Sequence, residues 1–470
     1  MNRRDFLKTG AAAAVAVSCV PKGEIAGQAG NDGRAGNDGQ AGNDGEAGND
    51  GQANDGPEAM VYRENPKNGD RVSLLGFGCM RWPMVKDASG RDVIDQEAVN
   101  EMVDYALAHG VNYFDTSPAY LQGQSELAAG RALSRHPRES YYIATKLSNF
   151  GDHGAKASIE MYKEAFKQLQ TTYFDYYLLH AIGLGGKDAF NERYVENGLL
   201  PFLQEEKKAG RIRNLGFSFH GARHEFDYFM ELEDSGELHW DFCQIEMNYV
   251  DWTHADGVRN VNADYLYAEL DKRGIPIIIM EPLLGGRLAN VPEGIARQMK
   301  QREPQLSIAS WAFRFCGTFP RVLCTLSGMT SMDPLLDNIK TFGHFKPLTE
   351  EELAFLEQMA VQMKEYPLVN CTDCKYCMPC PWGVDIPGVF QHYNRAVTEG
   401  TYAQSSSQKD YAKLKKAYLV SYNKAVNPLR QADRCILCKE CLPHCPQSIA
   451  IPRELTRIAR YVESLKQDLL

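Results

Sequence analysis

Eight of the thirteen cysteines are gathered in two runs, Cys371-x2-Cys374-x2-Cys377-x2-Cys380-Pro381 and Cys435-x2-Cys438-x2-Cys441-x3-Cys445-Pro446. Three thiolates at three-residue intervals wrap one cube of iron and sulfide, while a distant fourth ahead of a proline reaches across to a second cube. Zinc normally takes cysteines in pairs, and disulfides are the default for even cysteine counts in exported chains. The spacing disfavours zinc, and the N-terminal segment from Asn2 to Val17 disfavours disulfides. A second reactive set lies upstream. Asp115 ends the apolar run Val111 to Phe114 with Tyr120 five residues on, Lys146 follows Tyr141 to Thr145, and His180 follows Tyr176 to Leu179. A phenol, with a pKa of about 10, is a poor proton donor near neutrality, and a neighbouring ammonium lowers it. Lys146 is expected to supply that charge, Asp115 to hold Lys146, neutral His180 to orient a carbonyl and Tyr120 to act as general acid. Singly, these residues read as a helix cap, a surface lysine and a core histidine; their order is what points to chemistry.

Such residues need a frame that brings strand ends together. Eight short apolar runs, near 72–75, 111–114, 141–144, 176–179, 215–219, 242–247, 275–280 and 322–326, alternate with helical patterns such as Gln96 to Ala108, Lys156 to Leu169, Tyr194 to Ala209 and Ile308 to Phe315. Strands alternating with helices pair in parallel. Eight such units predict an α/β fold, a (β/α)8 barrel whose reactive residues share the C-terminal face of the strands.

With these residues in order, the stretch from Met60 to Lys364 resembles the aldo-keto reductases, which carry an Asp-Tyr-Lys-His tetrad on a (β/α)8 barrel and move a hydride between a nicotinamide and a carbonyl. The resemblance implies Asp115, Tyr120, Lys146 and His180 as the tetrad. It implies Ser218 and Gln244 against the nicotinamide carboxamide, the loop with Leu283 and Gly285 under the pyrophosphate, and Ser327, Gly328 and Asn338 around the adenine half. Three positions depart from the pattern. Thr330 stands where many relatives place a basic residue against the NADP 2'-phosphate, Phe219 replaces an Asn, and Met280 replaces an aromatic. NADP, NAD or no NAD(P)H at all therefore stay open. The cysteine runs resemble two-cluster bacterial-type ferredoxins. That resemblance implies two [4Fe-4S] clusters, one on Cys371, Cys374, Cys377 and Cys445 and the other on Cys435, Cys438, Cys441 and Cys380. Clusters pass single electrons whereas nicotinamide passes a pair, a mismatch that usually calls for a flavin. No clear flavin motif is found, and a flavin stays open as well.

At 470 residues the chain exceeds one ordinary domain, and its net charge of −10 without a long Lys/Arg run argues against nucleic acid as a partner. Asn2-Arg3-Arg4-Asp5-Phe6-Leu7-Lys8, followed by the apolar run Ala11 to Val17, resembles a twin-arginine export signal. Ala16-Val17-Ser18-Cys19 resembles a lipoprotein cleavage site that would leave a lipid on Cys19; an ordinary signal with an incidental cysteine is the alternative. From Gly23 to Pro57 the chain repeats Ala-Gly-Asn-Asp-Gly with little to bury. As a coil of about 35 residues it would span on the order of 30–35 Å. Its three-residue glycine period also matches collagen, but without proline. The expected organisation is a signal at 1–20, a linker at 21–59, the barrel at 60–365 and a mainly helical dicluster domain at 366–470.

The reading is an exported, membrane-tethered, periplasmic or otherwise extracytoplasmic oxidoreductase acting on a small carbonyl or sugar-like substrate, with a redox partner protein or electron carrier. Two alternatives compete: an electron-transfer protein whose barrel is a docking or sugar-binding platform, and an ordinary reductase whose clusters are structural staples. Lys413, Lys415 and Lys416 form either a docking face for an acidic carrier or an ordinary solvated helix face. Cysteines 79, 243, 316 and 324 are expected as core thiols.

Overall fold

The computed structural model describes residues 60–255, 257 and 259–470. The signal, the linker and Cys19 lie outside the described residues.

Eight parallel strands close a barrel: β1 (Leu75–Gly78), β2 (Tyr113–Asp115), β3 (Tyr142–Leu147), β4 (Phe174–Ile182), β5 (Ile212–Phe219), β6 (Cys243–Glu246), β7 (Ile277–Met280) and β8 (Val322–Ser327). Each pairs with its sequence neighbour, and β8 returns to β1 through Leu326 beside Gly76. The strands are apolar on both faces because one set of side chains fills the barrel and the other packs under helices. Tyr113, Ala144, Tyr176, Phe242, Ile278 and Leu323 fill the inside. A larger layer, including Phe77, Phe114, Leu179, Phe217 and Ile245, meets the surrounding helices.

All eight expected runs meet barrel strands except in one detail. The run at 72–75 is divided, because Arg71–Ser73 pairs antiparallel with Tyr62–Glu64 and only Leu75 onward enters the barrel. A continuous apolar run cannot reveal where one strand hands over to the next. Helix α1 (Gln96–Ala108) has the expected bounds, with the Asp95 carboxylate accepting from the Ala98 amide at its start. Helix α2 (Ser125–Leu133) runs against α3 (Ala155–Leu169) so closely that a Cβ on Gly130 would meet the Gln168 carbonyl oxygen at 2.1 Å. The helix expected over 194–209 is shorter, Leu199–Lys208, because Gly198 takes a left-handed φ of 72° and the preceding Asn191–Val195 is a wider π-type turn.

Beyond the barrel, helices α4 (Ile386–Thr398), α5 (Tyr411–Ala425) and α6 (Ile451–Gln467) surround a separate core of Val389, Phe390, Tyr393, Tyr418, Tyr422 and Tyr461. Lys415 in α5 is bonded to Asp468 at 2.7 Å, so only Lys413 and Lys416 of that basic group are exposed. No described helix is long and apolar enough to cross a membrane.

Candidate active site and cysteine cavity

The parallel register brings the ends of β2, β3 and β4 side by side, with Asp115 level with Ala144 and Lys146 level with Leu178. Lys146 Nζ donates to Asp115 Oδ1 at 2.5 Å and to the Thr116 carbonyl at 2.9 Å. The Gln244 amide, from β6, donates to the other carboxylate oxygen at 3.1 Å. Burial pushes the Asp115 carboxyl up and the Lys146 ammonium down, each opposed by the partner's charge.

Tyr120 lies beyond β2, with the Lys146 ammonium 4.8 Å from its ring centre and the His180 ring edge-on at 6.0 Å. Leu121, Gln122 and Gly123 all follow with positive φ, a strained turn that fixes where Tyr120 leaves the chain. The expected lowering of its pKa is not found. Burial raises it well above 10, and the Asp115 charge raises it further. Lys146 is engaged by Asp115 and Thr116 and faces the ring, so the expected drive toward phenolate is missing. Tyr120 keeps its proton at neutral pH.

His180 is neutral, its pKa driven well below 6.5 by burial and then by the Lys146 and Arg193 charges. Its Nδ1 pairs with Ser148 Oγ at 2.5 Å, and Ser148 in turn pairs with Ser117 at 2.8 Å. Its Nε2 faces the Tyr376 hydroxyl at 3.4 Å. Sequence reasoning missed Ser117, Ser148 and Tyr376. Ser117 was within reach, since it sits inside the stretch from Phe114 to Tyr120, and Tyr376 lies between two cysteines of the first run.

Behind the strands, Glu126 is buried with Thr145 Oγ1 donating to it at 2.6 Å, and burial pushes its carboxyl up to about 7. Because the folded pKa lies above the unfolded value of about 4.5, its contribution to stability is fully present below that value and is lost as pH rises through about 7. Wild-type protein is expected to lose on the order of 3 kcal/mol over this window from this group, and Glu126→Gln to lose that part of the slope. Urea unfolding at about pH 5 and about pH 8 measures it.

Of the residues implied for the dinucleotide, Ser218, Gln244, Leu283, Gly285, Ser327 and Gly328 line one cavity at the barrel mouth, and several of them are bonded within the protein. Ser218 Oγ accepts from the Ala181 amide at 2.8 Å, Asn338 donates to Ser327 Oγ at 2.9 Å, and Gly328 packs on the Arg81 side chain. The Gly285 amide donates to Glu281 Oε2 at 2.7 Å. Phe219 packs on Phe226 in the core, while Thr330 is exposed. Met280 and Leu283 line this mouth cavity, of about 340 Å³, together with Asp115, Tyr120 and His180. Cys374 and Tyr376 of the C-terminal region line the same cavity.

A second cavity, of about 230 Å³, is lined by Cys377, Cys380, Cys435, Cys438 and Cys441. The two cysteine runs fold alike. Asp373 and Lys375 flank Cys374, and Leu437 and Lys439 flank Cys438, all four with φ between 55° and 68°. These left-handed residues curl each loop, and the Asp373 amide points at Cys371 Sγ, 3.4 Å away. Cys371, Cys374 and Cys377 are electrostatic neighbours of Cys445, and Cys441 of Cys435, Cys438 and Cys380. Among the described residues no three His, Cys, Asp or Glu converge on one ion position. A cube needs no such convergence, because each of its irons takes its own thiolate. Curled loops, soft donors and a cavity fit an iron-sulfur cluster. The twelve described cysteines are free thiols, and those at 79, 243, 316 and 324 are buried.

A model of the aldo/keto reductase family matches residues 74–360. The chain belongs to this family. A 4Fe-4S dicluster domain matches residues 370–451 and a twin-arginine translocation signal residues 1–18. This aldo/keto reductase is therefore an oxidoreductase with an export signal and an iron-sulfur domain. It is 33% identical over 122 residues to probable aldo-keto reductase 1 of Glycine max, covering 24% of this chain and 34% of that one. It is 24% identical over 321 residues to the uncharacterized oxidoreductase YqkF of Bacillus subtilis, covering 62% and 94%. With L-galactose dehydrogenase of Arabidopsis thaliana it shares 28% over 226 residues, 47% and 64% of the two chains. Its barrel is similar to that of aldo-keto reductase AKR11C1 from Bacillus halodurans, with a TM-score of 0.50 at 22% identity, covering 64% of this chain and 96% of that chain.

Proposed function

We propose that this aldo/keto reductase interconverts a small carbonyl compound and its alcohol at Asp115, Tyr120, Lys146 and His180, next to two [4Fe-4S] clusters. Cys371, Cys374, Cys377 and Cys445 would hold one cluster, and Cys435, Cys438, Cys441 and Cys380 the other. The clusters, when bound, supply one-electron storage and transfer. Neutral His180, fixed by Ser148, orients the substrate oxygen, and Tyr120 gives that oxygen a proton. Reduction to the alcohol would take two electrons in all, one from each cluster when both are bound and reduced, and a second proton, from water, at the carbon. The Lys146–Asp115 pair holds a positive charge beside the developing alkoxide. The observation that carries the reading is Tyr376: it lies between Cys374 and Cys377, faces His180, and lines both the mouth cavity and the cysteine cavity. The organisation proposed with it is a signal at 1–20, a linker at 21–59, the barrel at 60–365 and the cluster domain at 366–470. A lipid on Cys19 would tether the exported protein to a membrane.

The test uses cluster-loaded protein reduced with dithionite, freed of excess reductant without air, and mixed with small carbonyl compounds including open-chain sugars. The oxidised clusters' visible absorbance is expected to return while alcohol accumulates. If dithionite bleaches the protein and no carbonyl restores the colour, the barrel is not a reductase site. The electron-transfer reading, in which the barrel is a docking or sugar-binding platform, would then take its place. Phe219 in the core and exposed Thr330, both departures from the nucleotide pattern, are what favour that second reading.

A further inference from the structure

The nicotinamide dinucleotide implied by the family does not fit this barrel. We infer that residues 370–376 of the chain itself take the place of the dinucleotide, and that no free NADH or NADPH delivers hydride here.

Three independent features carry this. The first is space. Gly285 sits at φ 65° in the loop after β7, and a Cβ built there would lie 2.4 to 2.7 Å from the Thr372 Cα, carbonyl carbon and carbonyl oxygen. Main chain of the first cysteine run lies flat on the loop that would have to cradle a pyrophosphate, and a phosphate is far larger than a methyl group.

The second is charge. A pyrophosphate needs free amides and cations, and the Gly285 amide and the Arg81 and Arg287 side chains already hold partners, with the buried Arg287 Nε left without one. The Gly285 amide is held by the Glu281 carboxyl, whose pKa burial raises against the pull of the Arg81 charge. Arg81 donates to the Thr372 carbonyl and pairs with Asp373 at 3.4 Å, and Arg287 donates to Asn370 at 3.0 Å. Bringing in a dianion would break these bonds and set like charges together in a half-buried site.

The third is anchoring. Thr372 is 1% exposed, and Asn394 of α4 clamps the Val369 backbone on both sides, at 2.8 and 2.7 Å. A dinucleotide would have to lift 370–376 away from both the barrel and its own domain. The space that remains, about 340 Å³, is lined by Tyr120, His180, Glu281 and Tyr376 and also by Ser218, Gln244, Ser327 and Thr330, and its size suits a compact ligand.

The experiment uses anaerobic, cluster-loaded full-length protein and two readouts independent of carbonyl turnover. Nicotinamide fluorescence is titrated with NADPH and then NADH to millimolar nucleotide, and hydrogen exchange over 370–376 is followed with and without each. The expected result is no saturable fluorescence change and no shift in exchange over 370–376. Saturable binding of either nucleotide overturns the inference, whether or not 370–376 becomes more labile. Because a substrate can fail to turn over while the nucleotide result stands, and the reverse, this outcome is separable from the carbonyl test.

Discussion

Tyr120→Phe is expected to lower turnover about 10²- to 10⁴-fold while leaving unfolding unchanged. Phenylalanine keeps the ring, and with it the contact to the Lys146 ammonium and the edge-on packing against His180. Only the hydroxyl, and with it the acidic proton, is removed. In the resting site that proton is held tightly, because burial and the Asp115 charge both oppose its loss. It is released only to a substrate oxygen that has itself gained negative charge, so the deficit should fall on kcat rather than on KM. Steady-state kinetics with a reduced one-electron donor, alongside urea unfolding, measures both. A variant that retains turnover within tenfold would remove Tyr120 from the chemistry.

The second large effect is expected at Lys146. Lys146→Met fills similar volume but leaves the Asp115 carboxylate buried with the Gln244 amide as its remaining side-chain partner. Removing one member of a buried ion pair costs about 3–5 kcal/mol. The double variant Asp115→Asn, Lys146→Met removes the stranded charge and should recover much of that stability without recovering turnover. Guanidinium unfolding of the four proteins, as a double-mutant cycle, gives the coupling. If the single variant unfolds like wild type, the pair is not the ion pair described here.

The barrel was legible because strands buried on both faces read as apolar runs, and each of the eight left one in the sequence. Helices were less so. Helix α6 was not foreseen although Leu455, Ile458, Tyr461, Val462 and Leu465 recur at helical spacing along it, since the cysteines just before it dominate that region. The tetrad stood out because Asp115, Lys146 and His180 each close a strand-like run and Tyr120 follows the first of them by five residues. Its supporting bonds did not, because Ser148 and Gln244 reach their partners only through the barrel's closure. The direction of the Tyr120 shift was misread for the same reason. Sequence places an ammonium near the phenol but cannot show that Asp115 and Thr116 already hold it. Nor could any spacing rule show that residues 370–376 fold back onto a loop some ninety positions earlier, beside Gly285.

That fold-back also bears on assembly. The backbone lying on the loop after β7 is the same backbone that carries Cys371, Cys374 and Cys377. The wall of the chamber and the proposed seat of a cluster are thus one piece of chain, so that a cluster bound there would brace the chamber wall as well. For a protein with a signal for the twin-arginine route, loading of the proposed cluster and bracing of the chamber would then fall in a single step before departure.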